Sequence, residues 1–90
     1  MIKLIKFFTT SCVPCKRLDP ILKELIQEYD NISLEEYCID NGLPEQYQNL
    51  TIMSTPTVLI YKDSTLVEQI VGLHTKDFYK QKINSILEGK

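Results

Sequence analysis

An α/β fold built on a mixed four-stranded sheet is what this sequence predicts, and three observations predict it. A dense apolar run at the start leads directly into an amphipathic helix and then a second strand-like run, which makes a βαβ unit. Two further strand-like runs flank the short polar segment Lys62-Asp63-Ser64, the pattern of a hairpin. An amphipathic helix closes the chain.

The first strand is expected over Lys3 to Phe8, apolar at Leu4, Ile5, Phe7 and Phe8. That density is what a central strand covered on both faces requires. Thr9-Thr10-Ser11 breaks the run, and a helix is expected from Cys12 to about Tyr29. Leu18, Ile21, Leu22, Leu25 and Ile26 recur at spacings of three and four, which gives one apolar face. Pro14 falls in the first turn, where a missing N–H costs nothing, whereas Pro20 falls inside and predicts a kink. Asp30-Asn31 ends the helix.

A second strand is expected over Ile32 to Ile39, then a loop at Asp40-Asn41-Gly42. Leu43 to Leu50 reads as a short helix with Leu43, Tyr47 and Leu50 on one face. Thr57 to Tyr61 is β-branched and aromatic, the strongest strand signal in the chain. Leu66 to Val71 is its returning partner, ended by Gly72. The last helix is expected from an N-cap at Thr75 to Leu87, with Gly89 beyond it. Phe78, Tyr79, Ile83, Ile86 and Leu87 are its inward candidates.

The 90 residues suffice for one compact domain, expected over residues 1–90. Hydrophobic residues at 43% and charged residues at 24% make an ordinary globular mixture rather than a disordered one. A formal net charge of −2 without a basic stripe argues against nucleic acid as a partner, because phosphate neutralisation supplies most of that affinity. No apolar stretch is long enough to span a bilayer, so no membrane partner is expected. Lys6 interrupts the apolar start and no small-residue cleavage site follows, so the segment reads as a strand and the protein as cytoplasmic. An odd count of three cysteines fits poorly with a secreted disulfide framework.

Two of the cysteines stand as Cys12-Val13-Pro14-Cys15, where a strand gives way to a helix. At that junction the first sulfur meets unpaired N–H groups and the positive end of the helix dipole, which stabilises a thiolate. The second lies one turn along, close enough to form a disulfide with the first. Cys12 is therefore the expected attacking thiolate and Cys15 the resolving thiol of dithiol exchange. A C-x-x-C also serves zinc and iron–sulfur sites, but within a βαβ unit it is a known redox signature.

The stretch from Phe7 to Leu22, Phe-Phe-Thr-Thr-Ser-Cys-Val-Pro-Cys-Lys-Arg-Leu-Asp-Pro-Ile-Leu, resembles the active-site segment of the thioredoxin family. Pro14 immediately before the second cysteine, Lys16 immediately after it and Pro20 five residues after it match that family's pattern. Ser54-Thr55-Pro56-Thr57 ahead of a β-branched strand resembles its cis-proline loop, and Gly72 a third landmark. The resemblance implies a thioredoxin-like fold with strand order 2-1-3-4 and three flanking helices, without the extra N-terminal strand and helix of full-length thioredoxin. It implies that Pro56 is cis and that Thr55 and Pro56 hold an extended substrate, with Val13 and Pro14 shaping the rim. Read from the residues alone, Pro56 is a strand-start proline in trans.

The departures from that pattern carry expectations of their own. Ser11 stands where an aromatic residue is usual, and Val13 where glycine is usual. The family has a buried Asp six residues before the first cysteine and a Lys on the neighbouring strand. Lys6 and Glu36 occupy those places here, so the pair is expected to meet below Cys15 and move its proton. The plainer reading sends Lys6 to solvent and leaves Glu36 an exposed strand residue.

Cys38 reads as a small buried apolar strand residue, His74 as a loop residue, and Tyr61 and Tyr79 as core aromatics. A zinc site from Cys12, Cys15, Cys38 and His74 has only one paired spacing in its favour. The expected activity is reduction of protein disulfides without cofactor or metal, by a monomer. The resemblance implies a flavin-dependent thioredoxin reductase or glutathione as electron donor, and ribonucleotide reductase as one acceptor. Two rivals remain open: a glutaredoxin-type enzyme coupled to glutathione, and a binding module with idle cysteines.

Overall fold

The computed structural model describes residues 1–89. Its elements run β1 (Ile2–Phe8), α1 (Val13–Gln27), β2 (Ile32–Cys38), a 3-10 turn (Glu45–Tyr47), β3 (Thr57–Lys62), β4 (Thr65–Val71) and α2 (Lys76–Leu87). The strands form one sheet in the order β2-β1-β3-β4. β1 pairs parallel with β2 through the α1 crossover and antiparallel with β3, and β3 pairs antiparallel with β4.

Because side chains alternate across a strand, β1 feeds two cores. Ile2 and Leu4 point to the face carrying both helices and pack with Leu18, Leu22 and Leu25 of α1, Tyr79 and Ile83 of α2, and Val58, Ile60 and Ile70. Ile5 and Phe7 point to the other face and pack with Leu59 and Tyr47. Among the described residues that second face carries no α-helix, being covered by the loop that follows β2, and a hollow of about 580 Å3 remains on it beside Ile5, Tyr47 and Tyr61.

The structure corrects the expectation of three helices: the segment Leu43 to Leu50 holds only the single turn Glu45–Tyr47, leaving two helices among the described residues. Pro44 is extended at φ −56° and ψ 152°, and the turn closes by short-range bonds from Tyr47 N–H to Pro44 O and from Gln48 N–H to Glu45 O. So short a segment cannot offset the cost of nucleating an α-helix. Leu43, Tyr47 and Leu50 still pack on the second core, as their spacing requires.

Helix α1 stops at Gln27, two residues early, and it continues through Pro20. The hairpin between β3 and β4 has a two-residue turn in which Asp63 (φ 54°) and Ser64 (φ 88°) are both left-handed, the geometry that matches the twist of paired strands. α2 begins at Thr75, whose hydroxyl accepts the Phe78 N–H at 3.1 Å. Its other end is tied to the sheet by Lys62 Nζ, which donates to Ile86 O at 3.1 Å.

A second correction concerns Cys38, which is exposed rather than buried. It is the last residue of β2, an edge strand, in register with Phe8 at the end of β1. Tyr79 is fully buried in the helix-side core, and Tyr61 packs partly buried against the second. Among the described residues no helix is long and apolar enough to cross a membrane.

Candidate active site

Sheet register brings the candidate residues to one end of the molecule. Phe8 ends β1, and Phe7 is paired with Thr57, the first residue of β3 and the neighbour of Pro56. Thr57 is in turn paired with Val71, the last residue of β4, and the Gly72 N–H donates to Pro56 O at 2.8 Å. The Thr55–Pro56 peptide is cis, and Pro56 is buried while Thr55 is half-buried.

Cys12 and Cys15 are joined by a disulfide, their Cα atoms 5.3 Å apart. Cys12 is the N-cap of α1: its backbone is extended, and its Sγ accepts the Cys15 N–H at 3.2 Å. A sulfur here does what a serine or aspartate oxygen does at other caps, satisfying a donor that the helix itself cannot. Cys12 is 8% exposed and Cys15 2%, and Val13 and Pro14 between them are exposed. The first turn of α1 carries no acidic residue to oppose a thiolate. The loop before the cap is clasped to the turn that follows β2, because Thr10 N–H and Oγ1 donate to the Asp40 carboxylate at 3.3 and 2.7 Å.

Behind Cys15 lies a cleft of about 200 Å3 lined by Lys6, Phe8, Thr9, Thr10, Cys15, Lys16, Asp19 and Glu36. Lys6 is 3% exposed, so its ammonium does not reach solvent. Its Nζ donates to Glu36 Oε1 at 3.5 Å and, closer, to Asp19 Oδ1 at 2.8 Å. The Phe8 ring lies 5.3 Å from the same ammonium.

Asp19 is the residue that sequence reasoning missed. It had a signal: it stands four residues after Cys15, on the same inward stripe of α1 as Leu18 and Leu22. It is Lys6 that is buried and needs a partner, and the Asp19 carboxylate, 37% exposed beside that stripe, is the nearer one. The hydrogen bond from Lys6 holds the Asp19 carboxyl below its ordinary pKa. Glu36 moves the other way: burial, then a hydrogen bond with Asp19 and the Asp19 charge, push its carboxyl up.

His74 lies in the loop after β4, stacked on Phe78 at 4.1 Å, with Nε2 3.0 Å from Val71 O. Among the described residues no three His, Cys, Asp or Glu side chains stand together where they could hold a metal ion. Nothing in the geometry draws Cys38 and His74 to the cysteine pair as the zinc reading requires.

The family model for thioredoxin matches residues 1–85. The chain is 38% identical over 74 residues to the thioredoxin of Chlamydia trachomatis serovar D, covering 82% of this chain and 72% of that protein. It is 37% identical over 83 residues to the thioredoxin of Chlamydia pneumoniae, covering 90% and 78%. Among solved structures, mitochondrial thioredoxin 3 of Saccharomyces cerevisiae in its oxidised form superposes with a TM-score of 0.78 at 27% identity, covering 93% of this chain and 77% of that one. A mutant thioredoxin from Halobacterium salinarum superposes with a TM-score of 0.80 at 25% identity, covering 93% and 73%. A disulfide at the cap of the first helix, the sheet order and these matches agree: the chain belongs to the thioredoxin family and is a thiol–disulfide oxidoreductase acting on protein disulfides.

Proposed function

We propose that the chain works as a cytoplasmic dithiol carrier in which Cys12 attacks and Cys15 resolves. The observation that carries this assignment is the cap: Cys12 Sγ sits at the start of α1 with the Cys15 N–H directed at it. In the reduced protein a Cys12 thiolate gains that hydrogen bond and the helix dipole, whereas the more deeply buried Cys15 does not.

The Cys12 thiolate attacks one sulfur of a substrate disulfide, and the other leaves as a thiolate. Cys15 then gives up its proton and attacks Cys12 Sγ. The mixed disulfide breaks, the Cys12–Cys15 bond forms, and the second substrate sulfur leaves. Two electrons pass to the substrate, whose thiolates take up protons. Thr55 and Pro56 hold the extended substrate and Val13 and Pro14 form the rim. Support comes from the shared sheet end and from the exposure of Val13 and Pro14. Lys6 and Glu36 handle the Cys15 proton, a role supported by the cleft that they share with it. A flavin-dependent thioredoxin reductase returns the electrons, and ribonucleotide reductase is one acceptor of the kind this chemistry serves.

An equilibrium titration in glutathione buffers, with free thiols alkylated and counted by mass, tests the reading. A two-thiol transition near about −270 mV supports a reductant fed by a reductase. A transition at about −200 to −230 mV replaces the reductase with glutathione as donor. With no two-thiol transition, Cys12 and Cys15 are not a working couple.

A further inference from the structure

The cleft behind Cys15 holds one buried cation and two carboxylates, and they are not equivalent. Lys6 Nζ is 2.8 Å from Asp19 and 3.5 Å from Glu36. Asp19 also takes Lys23 at 3.7 Å, one turn along α1, so its charge is compensated twice. Glu36 has the longer contact with Lys6 and lies within hydrogen-bonding reach of Asp19, from the edge strand β2.

We propose that Asp19 is a positioning residue of the resolving step: by drawing the Lys6 ammonium to itself it leaves Glu36 as the carboxylate that receives the Cys15 proton. The inference rests on the reading of Cys15 as the resolving thiol with Lys6 and Glu36 at its proton, and adds Asp19 as the residue that divides their roles. The opposed environments of the two carboxyls support the division, since carboxyls whose proton affinities are pushed apart take different roles in proton transfer. The cleft has room for a water relay between Cys15 and Glu36.

The charged groups facing this site are Asp19, Lys16 and Lys23 from α1, Glu36 from β2 and Lys6 from β1. The β3 residue in register with Lys6 is the apolar Val58, and the loop before α1 contributes Thr9 and Thr10. Apart from Cys15, then, Glu36 is the group left to titrate against the resolving step. In the reaction the Cys15 S–H bond breaks, the proton passes to Glu36, and the thiolate displaces the substrate sulfur from Cys12. Glu36 later returns the proton to solvent.

The test is stopped-flow release of thionitrobenzoate. Reduced protein and dithiobis(nitrobenzoate) form a mixed disulfide at Cys12, and the second thionitrobenzoate leaves when Cys15 resolves it. The rate of that second release is followed across the acid and neutral range. The parent protein should show an acid limb that reports protonation of Glu36. Glu36→Gln should lose that limb and slow release about tenfold or more. Asp19→Asn should move the limb to lower pH, because Lys6 then turns fully to Glu36 and weakens it as a base. Asp19→Glu, which keeps the anion, should restore the parental limb.

A merely structural Asp19 would alter stability or the plateau rate but not the position of the limb. An Asp19→Asn profile that superimposes on the parental one overturns the inference and leaves the dithiol reading standing. Failure of the parent to release a second equivalent, or release by Cys15→Ser at the parental rate, removes the resolving role of Cys15 and this inference with it.

Discussion

Cys12 caps the helix that carries Cys15, and its Sγ takes the Cys15 N–H at 3.2 Å. One hydrogen bond therefore ties the proposed nucleophile to the start of the helix and to its proposed resolving partner. After reduction the same donor remains in place for a thiolate. Cys12 should react with iodoacetamide at a pH well below the ordinary thiol midpoint of about 8.5, and Cys15 above it because it is buried without such a donor. Rates of alkylation mapped by peptide mass across pH would measure both. A Cys12 midpoint at the ordinary value would mean that the cap does nothing for the thiolate.

Lys6 is the buried charge of the site, and Lys6→Met should expose what it compensates. With the ammonium gone, Asp19 and Glu36 face each other across the cleft. The folded Asp19 carboxyl lies below its unfolded pKa, so its stabilisation is present above the unfolded pKa and disappears as pH falls through the folded one. The variant should be less stable at neutral pH by about 1 kcal/mol, a modest figure because both carboxylates are about a third exposed. The deficit should shrink on acidification as both carboxyls protonate. Urea unfolding at neutral and acid pH checks this, and a deficit independent of pH would refute the electrostatic origin.

What the sequence made legible and what it hid have separate physical causes. The βαβ unit, the hairpin and the cap at Thr75 were readable because each depends on local signals: apolar period, turn residues and a hydroxyl before a helix. The segment Leu43 to Leu50 misled because spacings of three and four suit a single turn as well as a helix, and only the nucleation cost separates them. Cys38 misled because an apolar strand residue is buried only where something covers it. The expected order 2-1-3-4 already puts β2 at an edge, and the strand's last residue has no cover there. In the site, the cysteine pair was readable from its motif, and the Lys6–Glu36 proximity from the places these residues take in the family pattern. Asp19 required projecting α1 onto its inward face, where a carboxylate among leucines is the anomaly.

Tyr79 is fully buried, yet among the described residues its hydroxyl has no hydrogen-bond partner. Burial alone raises its phenol pKa. An unpaired buried hydroxyl costs free energy, while the ring beneath it fills the helix-side core. Tyr79→Phe should therefore leave stability unchanged or raise it by up to about 1 kcal/mol. Tyr79→Ala should cost about 3–5 kcal/mol through the cavity it opens. A clear loss in Tyr79→Phe, read from the urea midpoint, would show that the hydroxyl is paired after all.

The β3–β4 turn offers the opposite kind of change, a gain through the backbone. Asp63 and Ser64 both adopt positive φ, and the second position at 88° is one that glycine enters without steric cost. Asp63 is held by its neighbours: its N–H donates to Met1 O at 3.0 Å, and its carboxylate accepts the N-terminal ammonium at 2.8 Å. Ser64 makes no such contact, so it can be changed without disturbing that anchor. Ser64→Gly creates the Asp-Gly pair that two-residue hairpin turns of this twist favour. Relief of the steric strain should exceed the extra chain entropy of glycine and stabilise the fold by about 0.5–1 kcal/mol. The turn lies at the end of the sheet away from Cys12, since Lys62 pairs with Ile2 and Thr57 with Phe7. Disulfide exchange should therefore keep its parental rate, and a change in that rate without a change in stability would mean that the hairpin and the site are coupled.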